Sequence, residues 1–158
     1  MKRRLKNVGL SKLFAAAILA LSFAIPARSA TINEMHAQAW EQACVYKALN
    51  CKGLSAPQVQ YLNLEEGMLG YHIYGTDVVV INLSLLGTPE SKYIIIHEMV
   101  HYLQFQMAAV LIPYRFIVIS DCLMESEAFN IVAAIAHKEN FYSKYIGDWS
   151  KVRGRYKC

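Results

Sequence analysis

Apolar residues recur with a helical period in three parts of the chain. The first, residues 33–49, predicts an amphipathic helix capped by Asn33. The second, residues 88–110, opens with a Thr-Pro pair that suits the cap and the first helical position. Its apolar residues lie on almost every side, which is typical of a buried helix. A third helix is expected over about residues 120–138.

Between the first two helices the pattern is that of β-strands. Residues 58–64 alternate polar and apolar side chains, which indicates a strand with one face buried. Residues 69–74 and 77–82 flank Gly75-Thr76, a pair typical of a hairpin turn. The order of one helix, a small antiparallel sheet and two core helices predicts an α+β domain, with the sheet packed on the two long helices.

The N-terminal segment has the features of an export signal. Lysine and arginine residues crowd its first positions, and residues 13–25 form an apolar run. Ala27 and Ser29 then satisfy the small-x-small rule for cleavage. Because the apolar run is shorter than the ~20 residues of a membrane-spanning helix, we expect cleavage rather than a lasting anchor. The sequence thus predicts a signal peptide at residues 1–29 and one domain at residues 30–158.

Removal of the signal segment changes the charge of the chain. Of the 16 Lys+Arg residues, six lie within residues 1–29, whereas all 12 Asp+Glu residues lie beyond it. The remaining 10 basic and 12 acidic side chains give a net charge of −2. We therefore expect no nucleic-acid partner. The expected location is the periplasm or the outside of the cell.

All four cysteines of the chain lie beyond the signal segment. An even number of cysteines in an exported chain indicates disulfides, and four residues allow three connectivities. Cys44 and Cys51 lie close together at the end of the first helix, and we expect them to form one disulfide. Cys122 would then pair with Cys158 and tie the C-terminal segment to the third helix.

The second helix contains the sequence His97-Glu98-Met99-Val100-His101. Histidines four positions apart lie on one face of a helix, so their imidazoles can bind one metal ion about 2 Å from each nitrogen. Glu98 is offset by about 100° around the helix, beside the open coordination position. There it can accept a proton from a zinc-bound water, which zinc makes more acidic. The alternative is a hydrogen-bonded pair of core histidines with a surface glutamate.

A catalytic zinc site needs a third protein ligand, and three placements can be compared. A further histidine on the same helix is excluded, because Gln104 and Met107 occupy the positions that a longer motif would use. Cys51 would serve as in peptide deformylases, but the other motifs of that family are missing and an oxidising compartment favours a disulfide. Glu125 or Glu127 in the third helix remains. The two point about 200° apart, so only one can face the metal, and periodicity leaves the choice open.

The His97-Glu98-x-x-His101 motif, followed by a Glu-x-x-Ala motif, resembles the gluzincin group of metallopeptidases. The resemblance covers about residues 77–135 and consists of the motifs and their order. It implies a zinc enzyme in which His97, His101 and Glu125 are the metal ligands and Glu98 is the catalytic base.

The resemblance also implies features around the site. Gluzincins tend to have a β-strand before the active-site helix, and an extended substrate pairs with this strand. Residues 77–82 or their hairpin partner would fill that role. Some members carry an aspartate four residues after the ligand glutamate, where this chain has Phe129. We expect Asn130 or Asp121 to support a histidine ligand instead.

These observations predict a zinc-dependent hydrolase, and more narrowly a metallopeptidase, that acts on a peptide, a protein or the cell wall. One of Tyr114, Tyr142 and Tyr145 is expected to stabilise the oxyanion. A non-catalytic, zinc-stabilised exported binding module is the main alternative, and a metal-free interaction protein with an apolar helical core is another. A three-ligand site beside Glu98 favours the enzyme, since a structural site is closed by a fourth protein ligand. Among the remaining histidines, His36 and His137 are expected to be helix-surface or capping residues, and His72 is expected on a strand face of the hairpin.

Overall fold

The computed structural model describes residues 31–46, 51–111 and 121–143. By its contacts the chain divides into two units, Met1–Glu34 and Met35–Cys158. In the first unit only residues 31–34 are described, and they are helical. The expected signal peptide therefore lies outside the described residues.

Three α-helices lie within the described part of the chain. Helix α1 covers residues 31–46, helix α2 covers Pro89–Leu111 and helix α3 covers Asp121–Lys138. Pro89 suits the start of α2, because the first N–H of a helix has no partner within the helix and proline lacks that group. Asn33 does not cap α1, because the chain is already helical at residue 31. No helix among these residues has both the length and the apolar character needed to cross a membrane.

A small sheet precedes α2. Its strands are β1 at Gln58–Leu62, β2 at Gly70–His72 and β3 at Val78–Asn82. β2 and β3 form the predicted antiparallel hairpin. Gly75 in its turn has a φ of 78°, a backbone conformation that glycine adopts without steric cost.

The sheet is mixed rather than wholly antiparallel. β1 pairs with β3 in parallel, so the expectation of an antiparallel sheet is wrong for this pair of strands. The chain crosses between β1 and β2 from one edge of the sheet to the other, which leaves the apolar β3 in the centre. The predicted α+β class is confirmed, with helices packed against a small sheet.

Helix α2 forms the middle of the hydrophobic core. Five of its apolar side chains are almost completely shielded from solvent: Ile95, Ile96, Met99, Val100 and Leu103. The helix packs against β2, β3 and α3, whose buried residues include Ile81 and Ile135. Burial against several neighbours explains why apolar residues occur nearly all round α2. The polar motif of α2 is therefore held inside the fold.

The predicted disulfide between Cys44 and Cys51 is confirmed, with Cα atoms 5.8 Å apart. It joins α1 to the segment that leads into β1. Cys122 is also disulfide-bonded, while its expected partner Cys158 lies outside the described residues.

Candidate metal centre

His97 and His101 occupy successive turns of α2 and meet Glu125 from the start of α3. The Nε2 atoms of the two histidines are 3.0 Å apart. Glu125 reaches both of them, with Oε2 3.2 Å from Nε2 of His97 and Oε1 3.4 Å from Nε2 of His101. Three ligand atoms, one from each residue, lie within 4.8 Å of one another. The group could therefore hold a metal ion.

The charges in this group depend strongly on one another. Burial raises the pKa of the Glu125 carboxyl, but hydrogen bonds with His101 and His97 outweigh burial, and the pKa is lowered overall. Burial lowers the pKa of His101, but the hydrogen bond with Glu125 and the charges of Glu98 and Glu125 outweigh it and raise the pKa overall. Glu125 is thus held ionised, which is the form of a carboxylate that binds a metal ion.

Glu98 lies beside the group of three and is only 6% exposed. Burial raises the pKa of its carboxyl, and the positive charges of His97 and His101 oppose that rise in part. The backbone N–H of His72 also donates a hydrogen bond to the carboxyl. The β2 strand therefore helps to set the direction of the Glu98 side chain.

Gly70 makes room for Glu98 on β2. A β-carbon at this position would lie 2.9 Å from the backbone oxygen of Val80 and 3.2 Å from both Cγ and Oε1 of Glu98. The first distance is shorter than real β-carbon contacts, and neither the central strand nor a buried helix side chain can move away easily. The close approach of α2 and β2 thus depends on the missing side chain.

Gly70→Ala is expected to destabilise the fold by about 1–3 kcal/mol through overpacking. Denaturant unfolding of the variant measures this cost. Gly75→Asn is the comparison variant: nothing lies within 4 Å of that position, so the change adds backbone strain at the positive φ but no overpacking, and asparagine adopts such a φ more readily than most residues. It should cost less stability than Gly70→Ala. Equal stability of Gly70→Ala and wild type would contradict the close packing.

A further set of hydrogen bonds supports His101. Its Nδ1 lies 2.8 Å from Oε1 of Gln104. The Nε2 of Gln104 donates to the backbone oxygen of Met124 at 3.0 Å and to Oε2 of Glu127 at 2.8 Å. Of the two candidate glutamates, Glu125 thus lies with the histidines and Glu127 lies with Gln104.

The supporting residues expected from the sequence lie elsewhere. Asn130 and Asp121 are both exposed, and neither occupies the position at His101 that Gln104 takes. Phe129, which stands where some gluzincins have aspartate, packs its ring against that of His97 with centroids 4.6 Å apart. Sequence reasoning missed Gln104, although residues three apart on a helix are neighbours and its spacing from His101 was a usable signal.

Of the other residues expected at the site, the structure describes Cys51 and Tyr142. Cys51 is not available as a metal ligand, because it is bonded to Cys44. Tyr142 is 80% exposed, while Tyr114 and Tyr145 lie outside the described residues.

The remaining histidines differ in their surroundings. His137 is exposed, as expected. His36 is half-buried on α1 and lies 3.2 Å from the Tyr61 hydroxyl. His72 is buried, and its Nε2 lies 3.0 Å from the backbone oxygen of Thr76. Burial lowers the pKa of His72, and the hydrogen bond with Thr76 offsets this in part.

Comparison of the chain with protein-family models finds no match, and comparisons with curated proteins and with solved structures find no significant match either. The function is therefore inferred from the chemistry of the site.

Proposed function

We propose that this protein is a zinc-dependent hydrolase and, more narrowly, a peptidase of the gluzincin type. The observation that carries the proposal is the group of His97, His101 and Glu125 with the buried carboxyl of Glu98 beside it. Two histidines and one glutamate are a ligand set of hydrolytic zinc sites. Among the described residues no fourth histidine, cysteine, aspartate or glutamate joins the group. A three-ligand set supports catalysis, because it leaves a coordination position for water or substrate.

The spacing of the donor atoms fits a tetrahedral zinc ion. Ligand atoms about 2.0–2.1 Å from zinc, separated by the tetrahedral angle, lie roughly 3.3 Å from one another. The two Nε2 atoms are 3.0 Å apart, Oε2 of Glu125 lies 3.2 Å from Nε2 of His97, and Oε1 lies 3.4 Å from Nε2 of His101. One atom from each side chain lies within 4.8 Å of the other two, so the three side chains converge on a place that could hold the ion.

A bound zinc ion would polarise a substrate carbonyl and make water acidic enough to attack it near neutral pH. Glu98 would accept the proton that the water loses and later donate it to the departing amine. This role suits a carboxyl that lies beside the ligands without being one of them. The N–H of His72 and the space at Gly70 hold Glu98 in that place.

The β2 strand is the candidate site for an extended substrate. β3 is flanked by β1 and β2, so the expectation that residues 77–82 pair with substrate is wrong and their hairpin partner remains. The Ile73 N–H donates to the Val78 oxygen. Hydrogen-bonded and non-hydrogen-bonded pairs alternate along an antiparallel ladder, so the backbone groups of Gly70 and His72 point away from β3. The carbonyl groups of these two residues would accept hydrogen bonds from a peptide that lies along the outer edge of β2.

Tyr74 is better placed than Tyr142 to donate a hydrogen bond to the reacting carbonyl. Its hydroxyl lies 3.9 Å from Sδ of Met124, at the start of α3. Burial and the negative charges of Asp121 and Glu125 raise its pKa, so the hydroxyl keeps its proton. This electrostatic interaction with Glu125 supports Tyr74 as the hydrogen-bond donor to the reacting carbonyl.

A substrate screen tests the proposed function. Residues 30–158, loaded with zinc, are incubated with peptide, protein and cell-wall libraries. The proposal expects cleavage that a chelator abolishes and added zinc restores. Zinc that raises the melting temperature without cleavage of any library would instead support the zinc-stabilised binding module.

A further inference from the structure

Gln104 links a candidate metal ligand on α2 to the backbone and a side chain of α3. Its Oε1 faces Nδ1 of His101 at 2.8 Å. Its Nε2 faces two acceptors, the Met124 backbone oxygen at 3.0 Å and Oε2 of Glu127 at 2.8 Å. All of these contacts lie in the partly buried space between the two helices. Gln104 itself is only 6% exposed.

These contacts determine which way the Gln104 amide points. Backbone and carboxylate oxygens accept hydrogen bonds, so the group that faces Met124 and Glu127 must be the NH₂ group, which has two donors. The amide oxygen is then left to face His101. An oxygen atom cannot donate a hydrogen bond, so Nδ1 of His101 must carry the proton. Nε2, the atom that faces Glu125 and His97, is then the ring nitrogen left to bind a metal ion, which would displace the proton that Glu125 accepts in the absence of metal.

We infer that Gln104 and Glu127 position His101 for metal binding by holding a proton on Nδ1 and leaving Nε2 to bind the ion. This inference rests on the proposed metal site, and it gives Glu127 a role other than ligand. Outer partners that orient a histidine ligand typically change metal affinity by about 10–100-fold when removed. Neither residue is a catalytic residue in this account, since both act through His101.

The inference also explains why a polar side chain is buried at position 104. A residue that only filled space between α2 and α3 would be apolar, because a buried amide requires hydrogen-bond partners. Here the amide oxygen and the amide NH₂ group both have partners, and each partner is within two residues of a candidate ligand or is the ligand itself. The two helices are therefore joined at the point where their ligand atoms meet.

Two measurements on Gln104→Met test the inference. NMR of the chain detects the Nδ1–H proton of His101, whose chemical shift and slow exchange with water report its hydrogen bond to Gln104. Wild type should show this hydrogen-bonded proton, and the variant should lose the signal to exchange with water. Zinc affinity, measured by competition with a chromophoric chelator, should fall by about 10–100-fold. Gln106→Met is the matched control on the same helix, about 200° away, and should change neither result.

Glu127 provides a second test with a conservative variant. Glu127→Gln retains an oxygen that accepts from Gln104, so the wild-type Nδ1–H signal and zinc affinity are expected, whereas Glu127→Ala should weaken zinc binding. A purely structural role for Gln104 predicts a lower melting temperature with an unchanged Nδ1–H signal of His101 in Gln104→Met, and that result would overturn the inference. Wild type that binds no zinc but holds the Nδ1 proton would count against the proposed function alone. Wild type that binds zinc with an affinity unchanged in Gln104→Met would count against the inference alone.

Discussion

Glu98→Gln is expected to retain bound zinc and to lose hydrolysis by about 10²–10⁴-fold, the usual contribution of proton transfer. The amide cannot accept the proton of the attacking water. It has nearly the same shape as the carboxyl, and its oxygen can still accept the hydrogen bond from the His72 N–H. Steady-state hydrolysis of a substrate found in the screen measures the loss, and metal analysis of the same preparation measures zinc.

Glu90→Gln is the control for this variant, because it makes the same change at the start of α2, away from the group of three. It should leave turnover unchanged. If Glu98→Gln lost zinc and unfolded, Glu98 would be a structural residue. If it hydrolysed substrate at the wild-type rate, another group would have to accept the proton.

Glu125→Gln is expected to weaken zinc binding by more than about 100-fold, beyond the effect typical of an outer partner. Glu125 contacts Nε2 of both histidines, so its carboxylate is the proposed third metal ligand. The neutral amide removes the negative charge that attracts the ion. Glu127→Gln is the matched variant two residues away, and it should bind zinc as wild type does because its oxygen can still accept from Gln104.

Competition with a chromophoric chelator compares the two variants under the same conditions. Loss of zinc in Glu127→Gln with retention in Glu125→Gln would make Glu127 the ligand and leave the proposed enzyme class intact. Retention of zinc in both would show that no glutamate of α3 binds the metal.

The sequence predicted that His97 and His101 lie together because the evidence for this pair is local. The spacing of His97 and His101 places both imidazoles on one face of a helix, whatever the rest of the fold does. The choice between Glu125 and Glu127 was harder, because each lies on an apolar face of the same helix. Only the way α3 packs on α2 brings Glu125 to the histidines and Glu127 to Gln104.

Features that depend on distant pairing could not be predicted in this way. The parallel pairing of β1 with β3 depends on where the connecting segment crosses the sheet. The hydrogen bond from His72 to Glu98 comes from a backbone N–H, which every residue except proline has, so no residue type signals it. The need for glycine at position 70 could not be predicted either, because it comes from the atoms of Val80 and Glu98 that surround this position in the fold.

Metal analysis of residues 30–158, purified without chelator, tests the central claim most directly. We expect about one zinc ion per chain in wild type and none in His97→Ala combined with His101→Ala, because the double variant retains only one of the three proposed ligand side chains. Circular dichroism of both samples confirms that each is folded. A folded wild type without zinc, or a double variant that still holds one zinc per chain, would contradict the account.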